Sequence, residues 1–418
     1  MAQEQPVHAL VVALTEEIGS AVHAINRLRP ESLCFVLPER TKSLVERDVQ
    51  PKLVQMPRRW DWIVLPDEGN FPSCYVTIAR TLPRLLNTWG IEPGTLVVDM
   101  TGATPAMAGA LTLAAMPHAS RIVSIVDGGA GREGDAITID GLEKLWVHIN
   151  PWDEAAAGMR GEGCALFSGG AYVAAGTLFR QIETRVSGGQ KPLYRAFADL
   201  ADGYDLWERF HYRQAWEKLK ASVKAMEMAS LFGGPPGVKA ILPAIKANSG
   251  FLEKLVLDPA EVKEGLAPDL LAHAGRRLRM AHDPEAAMQS LMRALEAFAQ
   301  HRLFKQYRIK TWDLQPEQLP EALRQTCRTC YLDDVDGKYK LSLQAQFRAL
   351  AGLGDPSGQS FLKEWPAMKP LLDAASHAVL GHGFEPVKAE RVQQLYEIVL
   401  RLSGISEASL PKFPALAL

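Results

Sequence analysis

Short apolar runs in the first third of the chain, each closed by a polar or turn residue, constrain the fold more than any other feature. They are "HALVVAL" (8–14), "LCFVL" (33–37), "WIVLPD" (62–67), "TLVVDM" (95–100) and "RIVSIVDG" (121–128). Runs that are apolar nearly throughout, rather than alternating, read as strands buried on both faces. Helical pattern lies between them, clearest in "YVTIARTLPRLLNTWG" (75–90), with Gly90 and Pro93 as stop signals. Strands alternating with helices predict a parallel, doubly wound sheet.

Beyond about residue 150 the strand pattern vanishes. "ALFSGGAYVAAGTLFRQIE" and "LWERFHYRQAWEKLK" share an aromatic, then Tyr, then Ala three residues on: Phe167, Tyr172 and Ala175 in one, Trp207, Tyr212 and Ala215 in the other. This predicts a degenerate helix-turn-helix repeat in which the small alanine lets neighbouring helices approach. A weaker echo runs from 276 to 303, with Leu291, Leu295 and Phe298 on one helical face. The last helix carries Val392, Leu395, Val399 and Leu402 on one stripe and stops at Gly404. The expected fold class is an α/β, Rossmann-like N-terminal domain with a parallel sheet, followed by an all-α C-terminal region.

A chain of 418 residues exceeds one ordinary core, and 47% apolar with 22% charged residues is enough to bury two or three. Lys plus Arg number 46 against 48 Asp plus Glu, so there is no global basic field for coating nucleic acid, and any such contact needs a local groove. The start, "MAQEQPVHALVVALTEE", has no basic region and no small-residue cleavage site, and no eighteen-residue apolar window occurs. A soluble, cytoplasmic protein is expected, with no membrane partner. Five cysteines form no disulfide framework; Cys327 and Cys330 form a lone C-x-x-C, which reads as two cysteines on a helix rather than a metal site.

The stretch "LVVDMTGATPAMAGALTLAAM" (96–116) ends a strand on Asp99, crosses a Thr-Gly-Ala-Thr loop and opens a helix that Thr104 can cap and Pro105 can begin. In open parallel sheets ligands sit at such carboxyl ends, where backbone N–H groups and the helix dipole favour anionic atoms. Gly102 permits close backbone approach, Thr101 and Thr104 supply hydroxyls, and Asp99 can accept from a ribose hydroxyl or base amine. The residues alone leave a second reading open, that the small side chains serve packing only. The glycine-rich "DGGAGREGD" (127–135) also follows a strand, but "AITID" comes after it instead of a helix, which favours a hairpin turn over a phosphate cradle.

"VVDMTGATPAMAGAL" resembles the signature of the CRISPR-associated Rossmann fold, the CARF domain, whose Asp-x-Thr-Gly-Gly-Thr-Lys motif lines a cyclic oligoadenylate pocket. Asp99, Thr101, Gly102 and Thr104 match; Ala103 stands where a second glycine is common and Pro105 where lysine is common, which removes a phosphate contact. Thr15 and Glu16, after the first strand, are further pocket candidates. "LLDAASHAVLGHGFEPV" (371–387) resembles the end of a HEPN ribonuclease domain, within a wider resemblance to the CARF–HEPN ancillary proteins of type III CRISPR systems. The resemblance implies a CARF-like domain at 1–150, a helical connector at 151–250 and a HEPN-like domain at 251–418.

HEPN enzymes carry Arg, four to six residues, then His, and cleave RNA without metal: the 2'-hydroxyl attacks its own phosphodiester while His moves a proton and Arg braces the phosphate. His382 fits the histidine. Spacings of six, five and four intervening residues place Ala375, Ser376 and His377 where arginine belongs, so the arginine is missing. Either the chemistry is lost, or Ala375 is an inactivating change, or an arginine comes from elsewhere; His377 is the second catalytic candidate. Arg277 and His282 also satisfy Arg-x4-His, but His282 precedes Asp283 and Pro284 in an apparent turn and reads as a chance match. The resemblance implies a homodimer activated by cyclic tetra- or hexa-adenylate, acting on single-stranded RNA, with no cofactor and no metal. The alternative is a non-catalytic sensor or sink for the cyclic ligand.

Overall fold

The computed structural model describes residues 7–92, 95–127, 136–139, 143–149, 156–186, 189–231 and 235–417. The chain divides into two compact units: residues 1–158 with 182–191, and residues 159–181 with 192–418.

In the first unit the apolar runs become β1 (Ala9–Ala13), β2 (Ser32–Pro38), β3 (Arg59–Leu65), β4 (Leu96–Asp99) and β5 (Ala119–Asp127), parallel in the order β3-β2-β1-β4-β5. Alternate residues serve opposite faces, as the strand period demands. Ala9, Val11 and Ala13 pack with Ile78 and Leu82 of α2 (Phe71–Trp89) and Met107 and Leu111 of α3 (Pro105–Ala115). Leu10, Val12 and Leu14 pack on the other face with Ala21 and Ile25 of α1 (Gly19–Leu28). This two-sided cover is why β1 and β2 read as unbroken apolar runs. Gly90 closes α2 in the left-handed region, at φ 65°.

Two antiparallel strands extend the sheet beyond β5, and the sequence reading missed their arrangement. β7 (Glu143–Ile149) pairs with β5, and β6 (Ala136–Ile139) pairs with β7, so β7 lies between β5 and the "AITI" segment. The expected hairpin directly joining β5 to that segment is therefore not formed; its glycine-rich turn, 128–135, lies outside the described residues.

The second unit is helical, and among the described residues after Ile149 the only β pairings are isolated bridges. The repeat is real down to its hydrogen bonds. Between α4 (Ala157–Ser168) and α5 (Tyr172–Arg185), Gly170 N–H donates to Phe167 O and Ala171 N–H to Leu166 O. Between α6 (Lys191–Glu208) and α7 (Tyr212–Leu231), Phe210 N–H donates to Trp207 O and His211 N–H to Leu206 O. The matching left-handed residues are Gly170 (φ 82°) and Phe210 (φ 62°). Phe167, Ala175, Trp207 and Ala215 are buried as the repeat requires. After α8 (Pro236–Leu257) come α9 (Leu266–Arg279), α10 (Pro284–Tyr307), α11 (Glu321–Cys330), α12 (Leu343–Gly352), α13 (Pro356–Ser376) and α14 (Ala389–Ser403). Leu291 and Leu295 of α10 meet Val392, Leu395, Val399 and Leu402 of α14 in one core, with Phe298 packed against it. Cys327 is buried and Cys330 exposed on α11. Among the described residues no helix is long and apolar enough to cross a membrane.

Candidate functional site

The strand order reverses between β1 and β4, so the loops at their carboxyl ends flank the crevice where α/β sheets bind ligands. Asp99 is the last residue of β4, opposite Val12 of β1, and is fully buried. Its Oδ1 accepts from the Thr101 amide at 2.9 Å and the Thr101 hydroxyl at 2.5 Å, while Oδ2 has no partner. Burial pushes its pKa up to about 6, against the pull of the Thr101 bonds.

The other predicted hydroxyls are engaged in holding the loop. Thr101 Oγ1 accepts from the Ile125 amide of β5 at 3.0 Å. Thr15 donates to Gly102 O at 2.9 Å, binding the β1 loop to the β4 loop. Thr104 caps α3, accepting from the Met107 amide at 3.2 Å and donating to Glu68 O at 2.7 Å, and Pro105 occupies the first helical position. A side chain at Gly102 would stand 2.6 Å from Ala13 O, so glycine is required for the approach of the two loops. The Ala103 amide donates to Met100 O at 3.1 Å, which turns the loop. The amides of Gly102 and Thr104 are left without an acceptor among the described residues. Both amides lie at or just before the N-terminus of α3, where the helix dipole favours negative charge.

Sequence reasoning missed three charged residues on the same edge. Arg40, just past β2, pairs with Glu68 and lies 3.6 Å from Glu16. Glu17 takes the Gly19 amide at 2.6 Å and the Ser20 hydroxyl at 2.7 Å, so its carboxylate covers the N-terminus of α1. The contacts close into a ring: Gly102 to Thr15, its neighbour Glu16 to Arg40, Arg40 to Glu68, and Glu68 back to Thr104. Arg40 is the sole basic side chain in the loops 14–19, 38–41, 66–70 and 99–104, against carboxylates at 16, 17, 39, 67, 68 and 99. Asking which residues follow each strand's carboxyl end would have found it.

In the second unit α13 ends at Ser376, and the following loop folds tightly back on it. The amide of His382 donates to Ser376 O at 2.8 Å, and those of Gly381 and Gly383 donate to Ala378 O at 2.9 and 3.1 Å. Side chains at 381 and 383 would collide with the carbonyls of Ala375 and His377, which accounts for the glycines flanking His382. His377 and His382 are both exposed. His377 Nδ1 lies 2.7 Å from Asp373 O, and a carbonyl only accepts, so the proton sits on Nδ1 and Nε2 is left free. The His382 ring makes no hydrogen bond among the described residues.

Ala375 does not suit the role of a lost arginine. It is 1% exposed within the core of the helical unit, where a guanidinium would have to be buried. The exposed positions at motif spacing are Ser376 and His377. In the rival pair, Arg277 is held by Glu208 at 3.1 Å and donates to His273 Nε2 at 3.1 Å, and His282 sits in a turn at φ 50°.

A switch-point crevice on a Rossmann-like sheet and a histidine-bearing loop on a helical unit mark a two-part chain, an α/β unit followed by a helical one. The sequence model of the Csm6 6H domain matches residues 161–252 and that of the Csm6 HEPN domain matches residues 261–406, together more than half of the chain. The structure is similar to that of Enterococcus italicus Csm6 bound to cyclic hexa-2'-fluoro-hexa-dAMP, with a TM-score of 0.58 and 11% identity over 97% of this chain and 96% of that one. A match to Can2 from Sulfobacillus thermosulfidooxidans in complex with cyclic tetra-adenylate covers 73% of this chain and 71% of that one at 12% identity, and its TM-score of 0.26 carries no weight. Among curated proteins none matches. The chain belongs to the CARF–HEPN ancillary proteins of type III CRISPR systems.

Proposed function

We propose that the chain senses a cyclic oligoadenylate at the carboxyl edge of its sheet and controls metal-independent RNA cleavage by its HEPN domain. Supporting the first half is one observation: the amides of Gly102 and Thr104 have no acceptor among the described residues, and Arg40 is the guanidinium of the described edge loops. A phosphodiester needs a cation here because carboxylates crowd the edge, and Pro105 stands where the family pattern supplies lysine. Arg40 can fill that need by exchanging Glu16 and Glu68 for phosphate. Asp99 is fully buried and holds the loop through Thr101 rather than meeting the ligand. Calorimetric titration with cyclic tetra- and hexa-adenylate tests this; equal binding of both rings by the parent and Thr104→Ala would put the pocket elsewhere.

For the effector half, His377 takes the place of the arginine at the spacing of four intervening residues. In this arrangement His377 Nε2 removes the proton of the RNA 2'-hydroxyl, whose oxygen attacks the adjacent phosphorus. The bond to the 5'-oxygen breaks, and protonated His382 gives that oxygen its proton. The products are a 2',3'-cyclic phosphate and a 5'-hydroxyl, and no metal or cofactor enters the balance. One observation favours a second reading, the non-catalytic sensor or sink: no arginine braces the phosphate on this loop. Cleavage of single-stranded RNA with chelator present, with and without the cyclic ligand, separates the two.

The functional division we assign is 1–150 for sensing, 151–250 for connection and 251–418 for the effector, acting as a homodimer in the cytoplasm. The dimer is supported by exposed apolar side chains beside His382: Val379, Leu380 and, at 95% exposure, Phe384. Sedimentation should give a dimer at micromolar concentration, and a monomer under all conditions refutes it.

A further inference from the structure

A second concentration of positive charge lies in the helical unit, away from the histidine loop. A cavity of about 490 Å³ is lined by Arg276 and Arg279 of α9, Tyr396 of α14, and Glu407, Lys412 and Phe413 of the C-terminal tail. Its volume is in the range of small-ligand pockets, about 300–1,000 Å³. Three cations face one carboxylate, in a chain whose overall charge is −2.

Beneath the cavity the guanidiniums share few acceptors, although buried Asp269 also acts on Arg276 electrostatically. Arg276 Nε donates to Glu208 at 2.5 Å, and Arg277 takes the other oxygen of the same carboxylate at 3.1 Å. His273 approaches Glu208 at 3.4 Å but accepts from Arg277 Nε, so its ring is the neutral form there; burial also lowers its pKa to about 4. One carboxylate thus serves two guanidiniums by direct contact, since the oxygens of Asp269 are taken by Trp207 and Tyr212. Arg276 is 11% exposed and stacks over the Phe413 ring at 3.8 Å, yet its two terminal nitrogens are buried with no hydrogen-bond partner. Buried guanidinium N–H groups without acceptors are costly, and phosphate oxygens are the acceptors that guanidinium geometry matches best. On the rim, Arg279 is half-exposed and held by Glu407 at 3.0 Å, while Lys412 is exposed and has no ion-pair partner among the described residues.

We propose that this cavity binds a phosphate group, free or carried by a nucleotide, with Arg279 and Lys412 contacting the oxygens and Arg276 supplying charge from below. The site is separate from the sheet edge and needs neither the cyclic ligand nor RNA cleavage. Glu407 is its internal competitor, because it holds Arg279 until an anion replaces it.

The test is calorimetric titration of the full chain, at constant ionic strength in chloride, with inorganic phosphate, adenosine 5'-monophosphate and uncharged adenosine. The two phosphate-bearing probes should bind saturably at one site per chain and adenosine should not; tighter binding of the nucleotide than of phosphate identifies a nucleotide site, and equal binding a phosphate site. Lys412→Ala, an exposed change, should weaken binding by about tenfold. Glu407→Gln should strengthen it, an outcome that a purely structural role for the rim does not produce. Absence of saturable binding overturns the proposal, as does affinity unchanged in both variants. Loss of binding in Thr104→Ala with full binding in Lys412→Ala also overturns it, placing the phosphate at the sheet edge.

Discussion

The two candidate sites are built in opposite ways. At the sheet edge nearly every predicted side chain is spent on structure: Thr15, Thr101 and Thr104 each bond to the protein, and Asp99 has one oxygen left. At the histidine loop the backbone is spent on structure, and the two imidazoles stay exposed. A motif of conformationally demanding residues is therefore a scaffold, and on the proposed function the amides and Arg40 do the binding. At the histidine loop, on the proposed function, the motif residues would themselves be the reacting groups. The same contrast explains why the arginine position cannot be read by spacing alone, since only burial separates Ala375 from His377.

The contrast predicts different responses to substitution. The largest should come at the histidine loop. His382→Ala removes a proton donor and should lower ligand-stimulated RNA cleavage by about 10²- to 10⁴-fold, with folding intact by circular dichroism. Retention of parent rate breaks the assignment of that loop as reactive. Ala375→Arg should act on stability instead: overpacking a buried site costs about 1–3 kcal/mol and an unpaired buried charge adds to it, so the thermal midpoint should drop with no gain in cleavage. A gain in cleavage would return the arginine role to position 375.

At the sheet edge, Asp99 sharpens the comparison through pH. Its pKa in the folded chain, about 6, lies above the ordinary carboxylate value, so the folded state holds the proton more tightly. Stability from this group is fully present at low pH and is lost as pH rises from about 4 through 6. By pH 7.5 the cost is up to about 3 kcal/mol, and Asp99→Asn should remove it. Hydrogen exchange of the β4 amides should slow in the parent as pH-corrected conditions move from 7.5 to 5, and change less in the variant. Equal pH dependence in both would show that Asp99 is not the titrating group. Arg40→Gln should weaken cyclic oligoadenylate binding by at least about tenfold, whereas Glu16→Gln should tighten it a few-fold by removing a competitor for Arg40. Weaker binding in Glu16→Gln would mean that the carboxylate, not the guanidinium, faces the ligand.

Much of the fold was legible because burial on both faces forces unbroken apolar strands, and β1, β2 and β4 carry that mark residue by residue. The cap and opening of α3 were legible from Thr104 and Pro105, whose chemistry admits few other positions. The repeat was legible from its aromatic and alanine spacing. The order of β6 and β7 was not, because period-2 segments carry no record of which neighbour they pair with. Arg40, Glu17 and Glu68 escaped notice for a related reason: each belongs to a different strand's loop, and only the closed sheet brings them beside Gly102. Arg276 escaped because its importance lies in a deficit of partners, which spacing does not encode.

If the edge of the sheet governs the histidine loop, one assay shows it directly: chelator-resistant cleavage of single-stranded RNA, titrated with cyclic tetra- or hexa-adenylate, in the parent and in Arg40→Gln. Saturable stimulation is expected in the parent, ending in 2',3'-cyclic phosphate products, with a curve displaced to at least about tenfold higher ligand in the variant and the same plateau. RNA that stays intact at saturating concentrations of both rings, with binding confirmed, would contradict it and leave the protein a sensor without a nuclease.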